Sequence, residues 1–151
     1  MRNSTSSRPV ALAPGPDVPV RTSRLTASVT LPAVPESVPR LRGTARALVR
    51  SRRLPADVAE ALSVIVTELV TNAVLHSGSA DVSVLFEVCE SALTVRVRDW
   101  GRWRERTAPR REPADVDAAF GRGLDLVDAF AVDTTVVRSP DGTLVEAVIA
   151  L

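Results

Sequence analysis

Apolar and polar residues alternate along residues 25–31 (LTASVTL), and again along 81–88 (DVSVLFEV) and 93–100 (LTVRVRDW). Alternation puts every second side chain on one face, which predicts half-buried strands. Between the first and second of these the period changes. Val38, Leu41, Ala45 and Leu48 recur at helical spacing and predict a helix from about 36 to 53. Pro35 and Pro39 are tolerable only near its first turn. A second helix starts at Pro55 and runs to about His76, where Ser77-Gly78-Ser79 ends it and Gly78 suits a C-cap. The short link at 89–92 makes the second and third strands a β-hairpin.

Residues 101–119 (GRWRERTAPRREPADVDAA) break the pattern, with five arginines, two prolines and few apolar positions. They are too polar for a core element and too long for an ordinary connection, so they read as a mobile lid. Residues 121–130 (GRGLDLVDAF) read as a glycine turn opening a short helix. Residues 133–140 (DTTVVRSP) and 143–151 (TLVEAVIAL) are the last two strands, joined through Pro140-Asp141-Gly142. Residues 1–23, rich in Ser, Pro and Arg without apolar periodicity, read as a disordered tail before one domain at 24–151. The order β-α-α-β-β-lid-α-β-β implies an α+β fold. Its form is a two-layer α/β sandwich: a mixed, mostly antiparallel sheet with helices on one face and the other face solvated.

Composition narrows the chemistry. The chain has 151 residues, 45% hydrophobic and 25% charged, which suits one globular domain with a real core. A net charge of +1 gives no overall field for nucleic acid or an anionic membrane. No apolar run is expected to reach the length of a membrane span, and the N-terminus lacks the apolar stretch of a secretory signal. The single cysteine, Cys89, excludes an intramolecular disulfide and a cysteine-rich zinc site. These features point to the cytoplasm. All 19 basic residues are arginine. Without lysine there is no P-loop, no protein-kinase site of the usual kind and no Schiff base.

Three short motifs carry candidate chemistry. In ELVTNAVLHS (68–77), Glu68, Asn72 and His76 stand four residues apart and spread over only about 80° of a helix. They border the apolar stripe of Ala61, Ile65 and Leu69, where a carboxylate is costly unless it has a partner or a task. An acid and an amide one turn apart can hold a hydrated magnesium ion and orient a hydroxyl or water. The plainer reading is a solvated Glu68, a local backbone contact for Asn72, and His76 favoured by the helix dipole. In RDWG (98–101), Asp99 at a strand end can accept from the exocyclic amine of adenine, and Gly101 would let a flat ring approach; the plainer reading is an Asp-x-Gly turn. In GRGLDLV (121–127), Gly121 and Gly123 at a helix start offer free backbone N–H groups to phosphate, with Arg122 and the lid arginines supplying charge; the plainer reading is a helix-opening turn.

The order of these motifs is more specific than any one of them. It resembles the ATP-binding domain shared by histidine kinases, a class of heat-shock chaperones, type II topoisomerases and mismatch-repair ATPases, the GHKL superfamily with its Bergerat fold. ELVTNAVLHS is similar to the N box, RDWG to the first glycine box and GRGLDLV to the second, while DGTLVEAVIAL resembles the closing strand. The resemblance covers about residues 25 to 151. Within the superfamily, the compact size and the Glu68/Asn72 pairing look most like the anti-sigma-factor serine/threonine kinases.

The resemblance implies ATP and magnesium as cofactors. It makes Asn72 the magnesium ligand and Glu68 the general base. Asp99 would read adenine with Gly101 beside it. Gly121, Arg122, Gly123 and Leu124 would form the phosphate cradle, Thr143 would match the closing-strand threonine, and His76 would lie near the phosphates. The implied partners are a STAS-type anti-sigma-factor antagonist and a sigma factor, with dimerisation common in the group and no direct nucleic-acid or membrane contact. One departure stands out: Trp103 replaces the second glycine of Asp-x-Gly-x-Gly. Two readings follow. One is a kinase that phosphorylates the antagonist and sequesters the sigma factor; the other is a non-catalytic ATP-binding module that holds a protein partner. A histidine autokinase is disfavoured because the only histidine lies inside the N box, and DNA binding is disfavoured by the charge balance.

Overall fold

The structure, a computed structural model, describes residues 24–102 and 117–151. The tail read at 1–23, most of the lid read at 101–119 with Trp103, and the side chain of Arg122 lie outside the described residues. The elements follow the predicted order: β1 (Leu25–Pro32), α1 (Ser37–Arg52), α2 (Ala56–His76), β2 (Asp81–Val88), β3 (Ala92–Asp99), α3 (Asp117–Phe130), β4 (Asp133–Ser139) and β5 (Gly142–Ala150).

The five strands form one sheet in the order β1-β2-β3-β5-β4. Every neighbouring pair is antiparallel, so the sheet is antiparallel throughout and not mixed among the described residues. Short links close β2 with β3 and β4 with β5, and such links reverse the chain; β1 with β2, across α1 and α2, and β3 with β5, across α3 and β4, are antiparallel over longer connections.

Alternation does the sorting on this sheet. Val84 pairs with Val97, which pairs with Val145; Phe86 pairs with Val95, which pairs with Ala147. These rows face the helices and are buried, as expected for a sheet with one covered face. On the opposite face Arg96 bridges Glu146 at 2.5 Å and Glu87 at 3.5 Å, spanning three strands. The Glu146 carboxylate, hydrogen-bonded to Arg96, raises the pKa of that guanidinium above its ordinary value. Ion pairs this accessible contribute modestly.

Helix α2 is the middle of the helical layer and packs against α1, α3 and the sheet. Val58, Ala61, Leu62, Ile65, Val66, Leu69, Val70 and Ala73 are all buried. By length and composition alone this helix could also cross a membrane, with a mean hydropathy of 1.6, contrary to the expectation that no run reached that length. Its apolarity is that of a core helix, since its neighbours within the domain cover it.

The helix ends where expected: Ser77 is its C-cap and Gly78 follows in the left-handed region (φ 64). The Ser77 hydroxyl donates to the Ala73 carbonyl and accepts the Ser79 N–H at 3.0 Å. This turn then meets the end of β3. Trp100 N–H donates to Ser79 Oγ at 3.1 Å, and Ser79 Oγ donates to the Asp81 carbonyl at 2.7 Å. A Cβ on Gly101 would lie 1.8 Å from the Ser77 carbonyl oxygen, so only glycine lets the two backbones pass. Gly43, in contrast, is an exposed glycine of α1 with nothing within 4 Å of such a Cβ.

Two predictions test this architecture. Phe86→Ala removes a ring that is 0% exposed, and should cost about 3–5 kcal/mol in urea unfolding. Gly101→Ala should destabilise by about 1–3 kcal/mol or more because backbone must shift, whereas Gly43→Ala should stabilise by about 0.5–1 kcal/mol. Equal melting temperatures for the two alanine variants would refute the Ser77–Gly101 contact.

Candidate nucleotide site

At one end of the sheet the inner face stops being apolar. One row there runs Leu31, Val82, Asp99, Thr143, Arg138 across the five strands, each the register partner of the next. Its last three members are polar. Asp99 is 2% exposed and Thr143 4%. The Asp99 carboxylate accepts the Gly101 N–H on Oδ1 at 3.1 Å. A Cβ on Gly142, which has φ 132, would stand 2.0 Å from the Asp99 carbonyl oxygen. The β4–β5 turn therefore presses on the strand end that carries Asp99, and only glycine permits it.

Above this row lies the C-terminal half of α2. Leu69, Asn72 and Ala73 face Val97, Asp99, Thr143 and Val145 across a narrow cleft that Leu124, Val136 and Arg138 complete. Its walls are apolar and its polar groups few, the usual composition of a small-molecule site. Asn72 is buried, and its Nδ2 has no hydrogen-bond partner among the described residues. An orphaned buried donor costs about 1–3 kcal/mol, which calls for an explanation in the molecule's work.

The N-box residues separate by burial. Asn72 is buried, whereas Glu68 and His76 are half-buried. Glu68 sits one turn before Asn72 and under α3: a Cβ on Gly123 would come 3.0 Å from Glu68 Oε2 and 3.5 Å from Asn72 Nδ2. Gly123 thus brings the backbone of α3 onto both side chains. His76 occupies the last turn of α2 and is not among the residues lining the cleft. Leu124 lines it.

Two expectations change. Gly121 and Gly123 do not open the helix that carries them. Helix α3 begins at Asp117, so both glycines lie inside it. Ala118 and Ala119 are strong helix formers, and each glycine costs the helix only about 1 kcal/mol. The N–H groups at the true helix start belong to 117–120. Gly101, expected to leave room for a flat ring, instead passes the Ser77 carbonyl and holds the Asp99 carboxylate through its N–H. Sequence reasoning missed Arg138. Its signal lies in the β4–β5 register with Thr143, which no local pattern reveals.

Comparisons with known proteins place the fold and the family. The solved structure of the RsbU and RsbW domains of Rv1364c from Mycobacterium tuberculosis is similar at 16% identity, with a TM-score of 0.65 over 83% of this chain. This chain spans 32% of that structure's length, and at such identity the likeness is one of fold. No curated protein matches the sequence. The family model of the histidine kinase-like ATPase domain matches residues 31–149. That match spans most of the chain, and the chain belongs to the histidine kinase-like ATPase domain family.

Proposed function

We propose that this domain is a cytoplasmic, ATP-binding anti-sigma-factor-type serine/threonine kinase that phosphorylates an anti-sigma-factor antagonist and regulates transcription by sequestering a sigma factor. The observation that carries the nucleotide reading is the buried Nδ2 of Asn72, unbonded among the described residues, beside the same cleft as Asp99 and Thr143. The residues fit magnesium-bound ATP. Magnesium takes one or two protein oxygens and completes its shell with phosphate and water. The Asn72 amide offers Oδ1 for the metal and Nδ2 for a phosphate oxygen, and Gly123 leaves the space beside them. Asp99 and Thr143 supply polar atoms for the edge of a base, between the apolar walls of Leu69, Val97 and Leu124.

Bound Mg-ATP would supply an electrophilic γ-phosphoryl group to a serine or threonine hydroxyl. The protein's part is positioning and charge placement. In this reading Glu68, half-buried beside Gly123, would accept the proton of the acceptor hydroxyl. Gly121 and Arg122 flank the cradle in sequence and are assigned to the phosphates on the motif resemblance, as is His76. The partners, a STAS-type antagonist and a sigma factor, also rest on that resemblance. Trp103, standing where the family has a glycine, favours the second reading, an ATP-binding module that holds its partner without transferring phosphate.

Asp99→Asn should weaken ATP binding in calorimetry by at least tenfold, because the amide presents an N–H to the adenine amine; magnesium-dependent binding absent from the wild type would overturn the assignment. Glu68→Gln should keep ATP binding while phosphate transfer to a candidate antagonist falls by about two to four orders of magnitude. Asn72→Ala should lose magnesium-dependent affinity and transfer together. A wild-type protein that binds ATP and a sigma factor but labels no antagonist would establish the module reading instead.

A further inference from the structure

Helix α1 carries more uncompensated charge than any other described element. Arg40, Arg42, Arg46, Arg50 and Arg52 lie within Ser37–Arg52, Arg53 is its C-cap, and the helix contains no acid. Arg42, Arg46 and Arg50 are four residues apart and Arg53 follows three later, so these four form a stripe about 80° wide. The buried side of the helix, Ser37, Leu41, Ala45 and Leu48, turns away from that stripe. Like charges four residues apart destabilise a helix. None of these arginines makes an ion pair among the described residues, although Arg24 and Arg96 do.

Charge on a helix surface is by itself an ordinary solvated face. Here a second feature accompanies it. Between α1 and α2 runs an open groove lined by Ala45, Val49, Ala59, Leu62 and Ser63 and flanked by Arg46 and Arg50. It shares no residue with the nucleotide cleft.

We infer that the α1–α2 groove docks an acidic amphipathic helix of a protein partner. The apolar lining takes a hydrophobic side chain from one face of that helix, and the flanking arginines take its carboxylates in charge-assisted hydrogen bonds. The lining decides between polyanions. A nucleic-acid backbone presents phosphates and has no apolar group to fill a groove. An anionic bilayer is met by apolar side chains that protrude from a helix, whereas Val49 and Leu62 line a concavity. The inference is independent of what the nucleotide cleft binds.

The test is an amide chemical-shift titration of the isotope-labelled full chain. The probe is a designed helical peptide of about 18 residues with glutamate on one face and leucine on the other. Comparison probes are the same peptide with glutamine for glutamate, a short DNA duplex, and phosphatidylserine vesicles. The acidic peptide should shift amides of α1 and of the first half of α2, and bind at least tenfold more tightly than the glutamine peptide, a gap that narrows with added salt. Arg46→Glu/Arg50→Glu should lose that preference and bind a lysine-faced peptide instead, whereas Arg98→Glu on the far side of the sheet should behave as wild type. If the double variant fails to fold, the shift map and the glutamine comparison on the wild-type chain decide. No acidic-peptide binding at millimolar concentration overturns the inference. So does equal binding of the two peptides, a shift map centred elsewhere, or tighter binding of DNA or vesicles.

Discussion

Helix α2 packs its apolar side against α1, α3 and the sheet, and the rest of the domain is arranged around that burial. Leu62, Ile65, Val66 and Val70 are fully excluded from solvent between the flanking helices and the sheet. Packing this dense permits little rotation of the helix about its axis. Once Leu69 and Ala73 enter the core, the direction of Asn72 is set as well. It points at the polar end of the inner sheet face, where Asp99 and Thr143 sit side by side. The site is therefore a consequence of how one helix lies on one sheet, with few polar groups added.

Two close backbone approaches hold the sheet end in place. Gly101 passes the turn after α2, and Gly142 passes the carbonyl of Asp99. With the Ser79 hydroxyl bonding both Trp100 and Asp81, they tie the ends of β3, β2 and α2 into one junction. A carboxylate presented from such a junction is held by backbone, which is stiffer than a loop. The Asn72 amide, whose Nδ2 has no hydrogen-bond partner among the described residues, works against stability at the same spot.

Charge is distributed unevenly over the two faces of the sandwich. On the open face of the sheet, Arg96 is answered by Glu146 and Glu87. On the helical face, the arginines of α1 have no such answer within the described part of the domain. The overall charge of +1 conceals this difference. Local charge without a local partner makes a surface selective for what approaches it, through steering and through the penalty on like charge.

The sequence by itself determined the order of the elements and the inward face of each strand, because alternation and helical spacing are local and strong. LTASVTL, DVSVLFEV and LTVRVRDW bury alternate residues as read, and α2 ends at the turn that Gly78 marks. The ordered motifs also brought Asn72, Asp99 and Gly123 forward as one site. The tertiary structure decided the rest. It made the sheet wholly antiparallel, since strand direction depends on pairing partners far apart in the chain. It started α3 at Asp117, because helix continuation through two glycines is a balance of small terms that no pattern resolves. It added Arg138 to the site through strand register. It also buried Asn72 while leaving Glu68 and His76 half-buried. All three border one helical stripe, and only the neighbours that pack on a helix decide which of its border residues lose their water.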